Sequence, residues 1–183
     1  MRSLSNAVRF CVALAVGLGL GAPAHAMPAG YFHLRGTVKD NYGGQALRSM
    51  DVTNAQGQVT GLVRLNTTGY AKDALLWKER LPRNGTIDVI CLENKLTGQC
   101  LAFPDESIDV VLRPCNSPKT LWQKISMGGN KWVFRRSQNV TGAFLDDFVD
   151  CLAKDARFPG RLVIMPCNDG FTPEMVWEAY VSG

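Results

Sequence analysis

The feature that most constrains the fold is an internal repeat in the second half of the chain. Residues 100–122 and 151–177 share one layout: Cys-Leu-Ala, a polar turn, a β-branched strand, Pro-Cys-Asn, a loop and a tryptophan. Between the two copies, the first cysteines are 51 residues apart, the second cysteines 52 and the tryptophans 55. A spacing that survives short loop insertions indicates repeating structural units.

A weaker copy without cysteines precedes these two. Ala-Leu at 46–47 stands in the place of Cys-Leu, residues 62–66 in the place of the strand that ends Pro-Cys-Asn, and Leu-Trp-Lys at 76–78 in the place of Leu-Trp-Gln. Three units of this kind form one closed domain, whose interior needs large apolar groups. We predict that the tryptophan of each unit fills that interior: Trp77, Trp122 and Trp177.

The first 26 residues have the pattern of a secretory signal. Arg2 and Arg9 precede an apolar run over residues 10–20, and Ala24-His25-Ala26 provides small residues for cleavage. The run is too short for a membrane anchor, which needs ~20 apolar residues. We therefore expect a secreted protein. Removal of residues 1–26 leaves 157 residues, enough for one domain.

The net charge and the cysteines further limit the class of protein that this chain can be. After cleavage, 18 Lys and Arg side chains face 16 acidic ones, and this mild balance predicts no nucleic-acid partner. Five cysteines remain, and an oxidising compartment favours bridges. Four cysteines allow three connectivities, of which the repeat favours Cys100 with Cys115 and Cys151 with Cys167. Cys91 is left over, either as a buried thiol or as a handle for another chain.

Residues 27–44 are rich in glycine and predict an irregular N-terminal arm, with a disordered tail as the alternative. The arm carries large apolar groups, so we expect it to dock on a partner through Tyr31, Phe32, His33, Leu34 and Tyr42. From residue 45 to 183, short candidate strands alternate with turn signals such as Asn-any-Gly, and no window has helical periodicity. Ten or more strands in three units predict an all-β fold, a β-trefoil.

Trp132 lies outside the repeat pattern, beside Phe134 and two arginines. An aromatic ring next to basic groups predicts a sugar or partner contact, whereas a half-buried strand position is the alternative. An enzyme is not expected, because after residue 26 the only histidine is His33, and no His/Cys cluster has the spacing of zinc ligands. We expect no metal and no cofactor.

The repeat resembles the ricin B-chain lectin family, whose units end in a Gln-any-Trp signature. Within that family, the patterns at 97–101, 121–125 and 139–144, followed by Cys-Leu at 151–152, are similar to the lectin-like A and C subunits of bacterial cytolethal distending toxin, and the length is more similar to the C subunit. The resemblance implies a non-catalytic delivery subunit. Its partners would be a nuclease-type subunit, a second lectin-like subunit in a heterotrimer, and host glycans or membrane.

The sequence departs from the family at the sugar site. Sugar-binding repeats of this family usually place an Asp two positions after the first cysteine and an aromatic platform near the second. Here Ala102 and Ala153 stand at the Asp position, and Arg113 and Met165 at the platform. The usual galactose sites are therefore expected to be absent. Asn116 and Asn168 keep the residue type of the family, and Asp105 and Asp155 are candidates for substitute contacts to a glycan or receptor, with solvated turn carboxylates as the alternative for these two. A free-standing lectin and a trefoil that inhibits a hydrolase are the alternatives.

Overall fold

The computed structural model describes residues 26–39, 47–54, 56–67, 72–82, 88–137, 149–158 and 160–181. Within them the chain forms twelve strands and three short 3₁₀ helices, at Lys72–Leu75, Pro118–Thr120 and Pro173–Met175. Within the same ranges, none of the helices has the length and apolar character needed to cross a membrane. The strands are β1 (Tyr31–Gly36), β2 (Ser49–Thr53), β3 (Val59–Asn66), β4 (Leu76–Arg80), β5 (Val89–Asn94), β6 (Cys100–Ala102), β7 (Val111–Arg113), β8 (Trp122–Ser126), β9 (Lys131–Arg136), β10 (Asp150–Lys154), β11 (Leu162–Pro166) and β12 (Trp177–Tyr180).

Six of these strands close a barrel. Antiparallel pairs run from β1 to β4, β5, β8, β9 and β12 in turn, and β12 pairs with β1 again. The other six form three hairpins, β2–β3, β6–β7 and β10–β11, which meet one another through β3–β7 pairing and two isolated bridges. Three four-strand units around a pseudo-threefold axis are a β-trefoil, as the sequence predicts.

The tryptophans of the three units occupy equivalent core positions. All three are fully buried, at the start of β8 and β12 and at the second residue of β4. Each indole N–H donates to a hairpin carbonyl: Trp77 to Met50 (3.2 Å), Trp122 to Leu101 (2.9 Å) and Trp177 to Leu152 (3.1 Å). The hydrogen bond satisfies the one polar atom of a buried ring, so the barrel is tied to each hairpin without a desolvation cost. The predicted core role is confirmed.

These hydrogen bonds also correct the register of the first unit. Met50 has the position that Leu101 and Leu152 have in the other units. Ser49-Met50, and not the Ala-Leu at 46–47, therefore stands in the place of Cys-Leu. Without cysteines to fix the alignment, the sequence left a three-residue slip undetected.

The expectation of an irregular arm is wrong for residues 31–36, which are barrel strand β1. Phe32 and Leu34 alternate with His33 and Arg35, and the two apolar side chains are fully buried in the core. The barrel closes only with this strand between β12 and β4. The trefoil therefore begins well before residue 45, and Phe32 and Leu34 are unavailable to a partner. Tyr42 lies outside the described residues.

Trp132 is a core residue and not a surface ring. It lies opposite Trp177, as Ile90 lies opposite Trp122 in the preceding unit. Its relative exposure is 3%. A ring buried on both faces offers no platform for a sugar, so the predicted binding role of Trp132 is wrong, and it belongs to the repeat.

Both predicted disulfides are present. Cys100 bonds to Cys115 and Cys151 to Cys167, and each bridge ties the start of a hairpin to its end. Closing a loop of this length in the unfolded chain stabilises the fold by roughly 3 kcal/mol. Cys91 is a free, buried thiol whose Sγ lies 3.6 Å from the Thr120 hydroxyl, and burial raises its pKa. The alternative of a buried thiol is the one that the structure supports.

Candidate functional site

Each of the three hairpins contains one residue that is structurally equivalent to a residue in the other two hairpins. Because Met50 corresponds to Leu101 and Leu152, the next residues correspond as well: Asp51, Ala102 and Ala153. The first unit thus keeps a carboxylate at the position where the lectin family places its sugar-binding Asp. Sequence comparison missed Asp51 because the three-residue slip moved it out of register.

Asp51 does not present its carboxylate to a ligand. Its side chain is fully buried. One oxygen, Oδ1, accepts hydrogen bonds from the backbone N–H and the hydroxyl of Thr53, both at 2.8 Å, and Oδ2 accepts from the Asn66 amide at 2.9 Å. Asn66 itself occupies the platform position, counterpart to Arg113 and Met165. The pair therefore holds the β2–β3 hairpin together.

The second unit presents charged groups to solvent. The Arg113 guanidinium donates to Asp105 Oδ2 at 2.7 Å, and the Lys119 ammonium contacts Asp105 Oδ1. These side chains are 45%, 51% and 44% exposed for Arg113, Asp105 and Lys119. Asn116 is exposed in the turn between the two cations. We call Asp105, Arg113 and Lys119 the Arg113 cluster.

In the third unit, the corresponding side chains accept hydrogen bonds from nearby backbone N–H groups. Asp155 is 5% exposed, its Oδ1 accepts from the Arg157 N–H at 2.8 Å, and its other oxygen lies 3.8 Å from Arg161. Asn168 Oδ1 accepts from the Val149 N–H at 2.5 Å. Of the five residues predicted to contact a glycan or receptor, the structure thus places Asp105 and Asn116 at an open surface of one unit. It places Asp155 and Asn168 in another unit, where their side-chain oxygens accept hydrogen bonds from backbone N–H groups.

A second surface feature lies on the outside of the barrel, where β1 meets β12. The His33 ring stacks on Tyr180 with centroids 5.0 Å apart, and the Arg35 guanidinium lies 4.4 Å from the same tyrosine ring. Arg35 also pairs with Glu178 at 2.7 Å. Burial lowers the pKa of His33. We call these four residues, with Tyr31 at the start of the strand, the β1 face.

Tyr31 extends the β1 face toward β4. The Lys78 and Lys95 ammonium groups lie 5.8 Å and 5.6 Å from the centroid of its ring. Tyr31 and His33 are both partly exposed, in contrast to the buried residues between and after them. Of the four described residues predicted for docking, two are therefore partly accessible, Tyr31 and His33.

Within the described ranges, no three His, Cys, Asp or Glu side chains are grouped so as to hold a metal ion. His33, the one histidine after residue 26, stacks on the Tyr180 ring. What the surface offers is donors, acceptors and rings on rigid strands, which suits binding.

The strand pairing defines a β-trefoil, and comparisons with solved structures agree on the fold. The cytolethal distending toxin of Haemophilus ducreyi matches with a TM-score of 0.55 at 10% identity, over 85% of this chain and 87% of that chain. The Polyporus squamosus lectin bound to a Neu5Acα2-6Galβ1-4GlcNAc epitope matches with a TM-score of 0.59 at 11% identity, over 85% and 50%. SeviL bound to the asialo-GM1 saccharide matches with 0.53 at 13%, over 85% and 100%. No family model and no curated protein matches the sequence.

Proposed function

We propose that this protein is a secreted, non-catalytic binding subunit of a bacterial AB-type toxin of the cytolethal distending kind. The observation that carries the proposal is the trefoil likeness to the Haemophilus ducreyi toxin over most of both chains. The repeat motifs at 97–101 and 121–125 add to it, because they are similar to the lectin-like subunits of that toxin family. The two disulfides fit an oxidising destination.

In this proposal the chain is exported through its signal sequence and acts at the host cell surface. Its partners are a nuclease-type subunit and a second lectin-like subunit, which together form a heterotrimer. The trefoil attaches the assembly to a host glycan or to the membrane, and the nuclease-type subunit carries the chemistry.

We place the partner-docking surface on the β1 face. Tyr31 and His33 are partly exposed on a strand that is paired on both sides, so the backbone that carries them is fixed before a partner binds. Rings beside cations are typical of protein interfaces, where aromatic and arginine side chains are enriched. Deleting residues 27–44 would remove β1 and open the barrel, so only point substitutions can test this surface.

The test is co-expression of the full chain with a nuclease-type and a second lectin-like subunit, followed by size exclusion. The account predicts one shared peak, which is lost with Tyr31→Ser combined with His33→Ser. Lys131→Ser, an exposed substitution on strand β9, is the matched control and should leave the peak intact. If the unmodified chain elutes alone, the toxin-subunit proposal fails.

A free-standing lectin is the second candidate. The likeness to the Polyporus squamosus lectin and to SeviL, both seen with bound saccharides, favours it. Such a protein would bind glycans with full affinity in the absence of any partner, and it would not join the shared peak.

A further inference from the structure

The Arg113 cluster differs from its counterparts in the other two units. At the platform position, the first unit has Asn66, bonded to Asp51, and the third has Met165. The second has a half-exposed guanidinium. Among the described residues at these three positions, the second unit is thus the one that offers a charged donor to solvent.

The cluster is built on rigid elements. Arg113 is the last residue of β7, pairs directly with Cys100, and lies two residues before the bridged Cys115. Lys119 belongs to the 3₁₀ turn Pro118–Thr120, which Ser117 caps, and its carbonyl accepts from the Phe103 N–H at 3.0 Å. The backbone of both residues is therefore fixed before a ligand binds, which reduces the entropy lost on binding.

The charges in the cluster do not cancel. Two cations share one carboxylate, which leaves one positive charge in excess. A guanidinium has five N–H donors and an ammonium three, and each uses few of them on Asp105. Exposed ion pairs of this kind contribute at most about 1 kcal/mol to stability, so fold stability alone gives little reason for the arrangement.

We propose that the Arg113 cluster binds the anionic group of an acidic saccharide. The carboxylate or sulfate of the sugar accepts hydrogen bonds from Arg113 and Lys119, because charge-assisted pairs to a planar fork are strong and directional. Asp105 accepts from sugar hydroxyls, and the exposed Asn116 amide lies in the adjoining turn. This inference rests on the proposed function and assigns its ligand class. Charge replaces the missing aromatic platform as the source of specificity.

The test uses the full chain, exported so that both bridges form, and Arg113→Met, which gives the second unit the residue that the third unit has naturally. The probes are sialyllactose for a carboxylate, 3′-sulfolactose for a sulfate, and lactose as the neutral parent. Calorimetric titration should show at least one acidic probe binding about tenfold or more tighter than lactose. Arg113→Met should reduce that affinity by about tenfold, as expected for one lost charge-assisted hydrogen bond.

Two controls separate this site from general electrostatics. Arg157→Met removes another exposed cation, 79% accessible and near Asp155, and should leave the affinity unchanged. Added salt should weaken binding of the acidic probes and not of lactose. Equal affinity for acidic and neutral probes, or an Arg113→Met protein that binds as well as the parent, would overturn the inference. If the protein binds cells but no acidic saccharide, only this inference fails; if it binds neither, the proposed function fails with it.

Discussion

The first and third units reach the same hairpin geometry by different means. In the third unit, the seam between the barrel and the β10–β11 hairpin is an apolar cluster that includes the bridged cysteines: Val133, Cys151, Ala153, Val163, Cys167 and Met175. In the first unit the counterparts of Val133, Cys151 and Ala153 are His33, Ser49 and Asp51. The contact between barrel and hairpin is thus apolar and disulfide-bridged in the third unit. In the first unit, which the pseudo-threefold axis relates to it, the equivalent contact is polar.

The difference shows which parts of the repeat are essential to the fold. The buried tryptophan and its hydrogen bond to the hairpin recur in all three units, whereas the cysteines do not. The first hairpin instead relies on a buried carboxylate that receives three hydrogen bonds. Because such a network loses its stabilising effect when one member is removed, the first unit should be the more sensitive to polar substitutions.

Loss of the third-unit bridge should have the largest effect. Replacing Cys151 and Cys167 together with alanine should lower the free energy of unfolding by roughly 3 kcal/mol, because a closed loop is released in the unfolded chain. Urea unfolding monitored by tryptophan fluorescence measures it. Cys91→Ala, which removes a buried thiol outside any bridge, is the control and should cost less. A double variant as stable as the parent would contradict the assigned role of the bridge.

Asp51→Ala should lower the free energy of unfolding by about 2 kcal/mol, because it leaves the buried Thr53 donors and the half-buried Asn66 amide without their acceptor. The same unfolding assay applies. Asp73→Ala is the matched control in the same unit, since its exposed ion pair with Lys95 contributes little. If both substitutions lower the free energy of unfolding by the same amount, the contact between the barrel and the first hairpin does not depend on its buried carboxylate.

The β1 face should make the first unit sensitive to acid. Burial lowers the pKa of His33 below its ordinary 6.5, so the folded state takes up the proton less readily than the unfolded chain. The contribution of neutral His33 is fully present above pH 6.5 and is lost as the pH falls toward the lowered value. Protonation would also place a second cation beside Tyr180, next to Arg35.

His33→Val introduces the residue of the third unit and should flatten the dependence of stability on pH between about 7 and 5. Unfolding curves at several pH values compare the variant with the parent. His33→Gln, which keeps a polar group without titrating, should flatten it as well. A parent and a valine variant with parallel pH profiles would show that another group titrates there.

The smallest effect is expected for Arg35→Ala. The two side chains of its ion pair with Glu178 are each about one-third exposed. The substitution should therefore lower the free energy of unfolding by about 1 kcal/mol or less, including the lost contact with the Tyr180 ring. High salt should shrink the difference between parent and variant, because screening weakens the pair in the parent. A loss above that of Asp51→Ala would reverse the order of importance assigned to the two networks.

The sequence is sufficient to predict the features that follow from the cysteine-containing repeat. The spacing of Cys-Leu-Ala, Pro-Cys-Asn and tryptophan predicts the trefoil, the three core rings and both bridges, because the repeat selects one pairing among three. It failed where the repeat lacks those markers. Strand β1 was mistaken for an arm because it precedes its hairpin, although its alternation of Phe32 and Leu34 with polar residues was a signal for a strand.

The candidate site was harder to predict for a physical reason. The exposure of a carboxylate depends on which donors the fold brings to it, and this is set by pairing between strands. Asp155 and Asp105 are similar in sequence position, yet one is buried against its own turn and the other is open beside two cations. The position of the buried Asp51 in the repeat follows from the tryptophan hydrogen bonds, which depend on the folded register and leave no mark in the sequence.

In the proposed function, this trefoil binds to a host cell surface. The most direct measurement is the binding of the fluorescently labelled, disulfide-intact chain to cultured mammalian cells, followed by flow cytometry over a range of concentrations. We expect saturable binding that excess unlabelled protein displaces. Binding that rises linearly with concentration and is not displaced would contradict the claim.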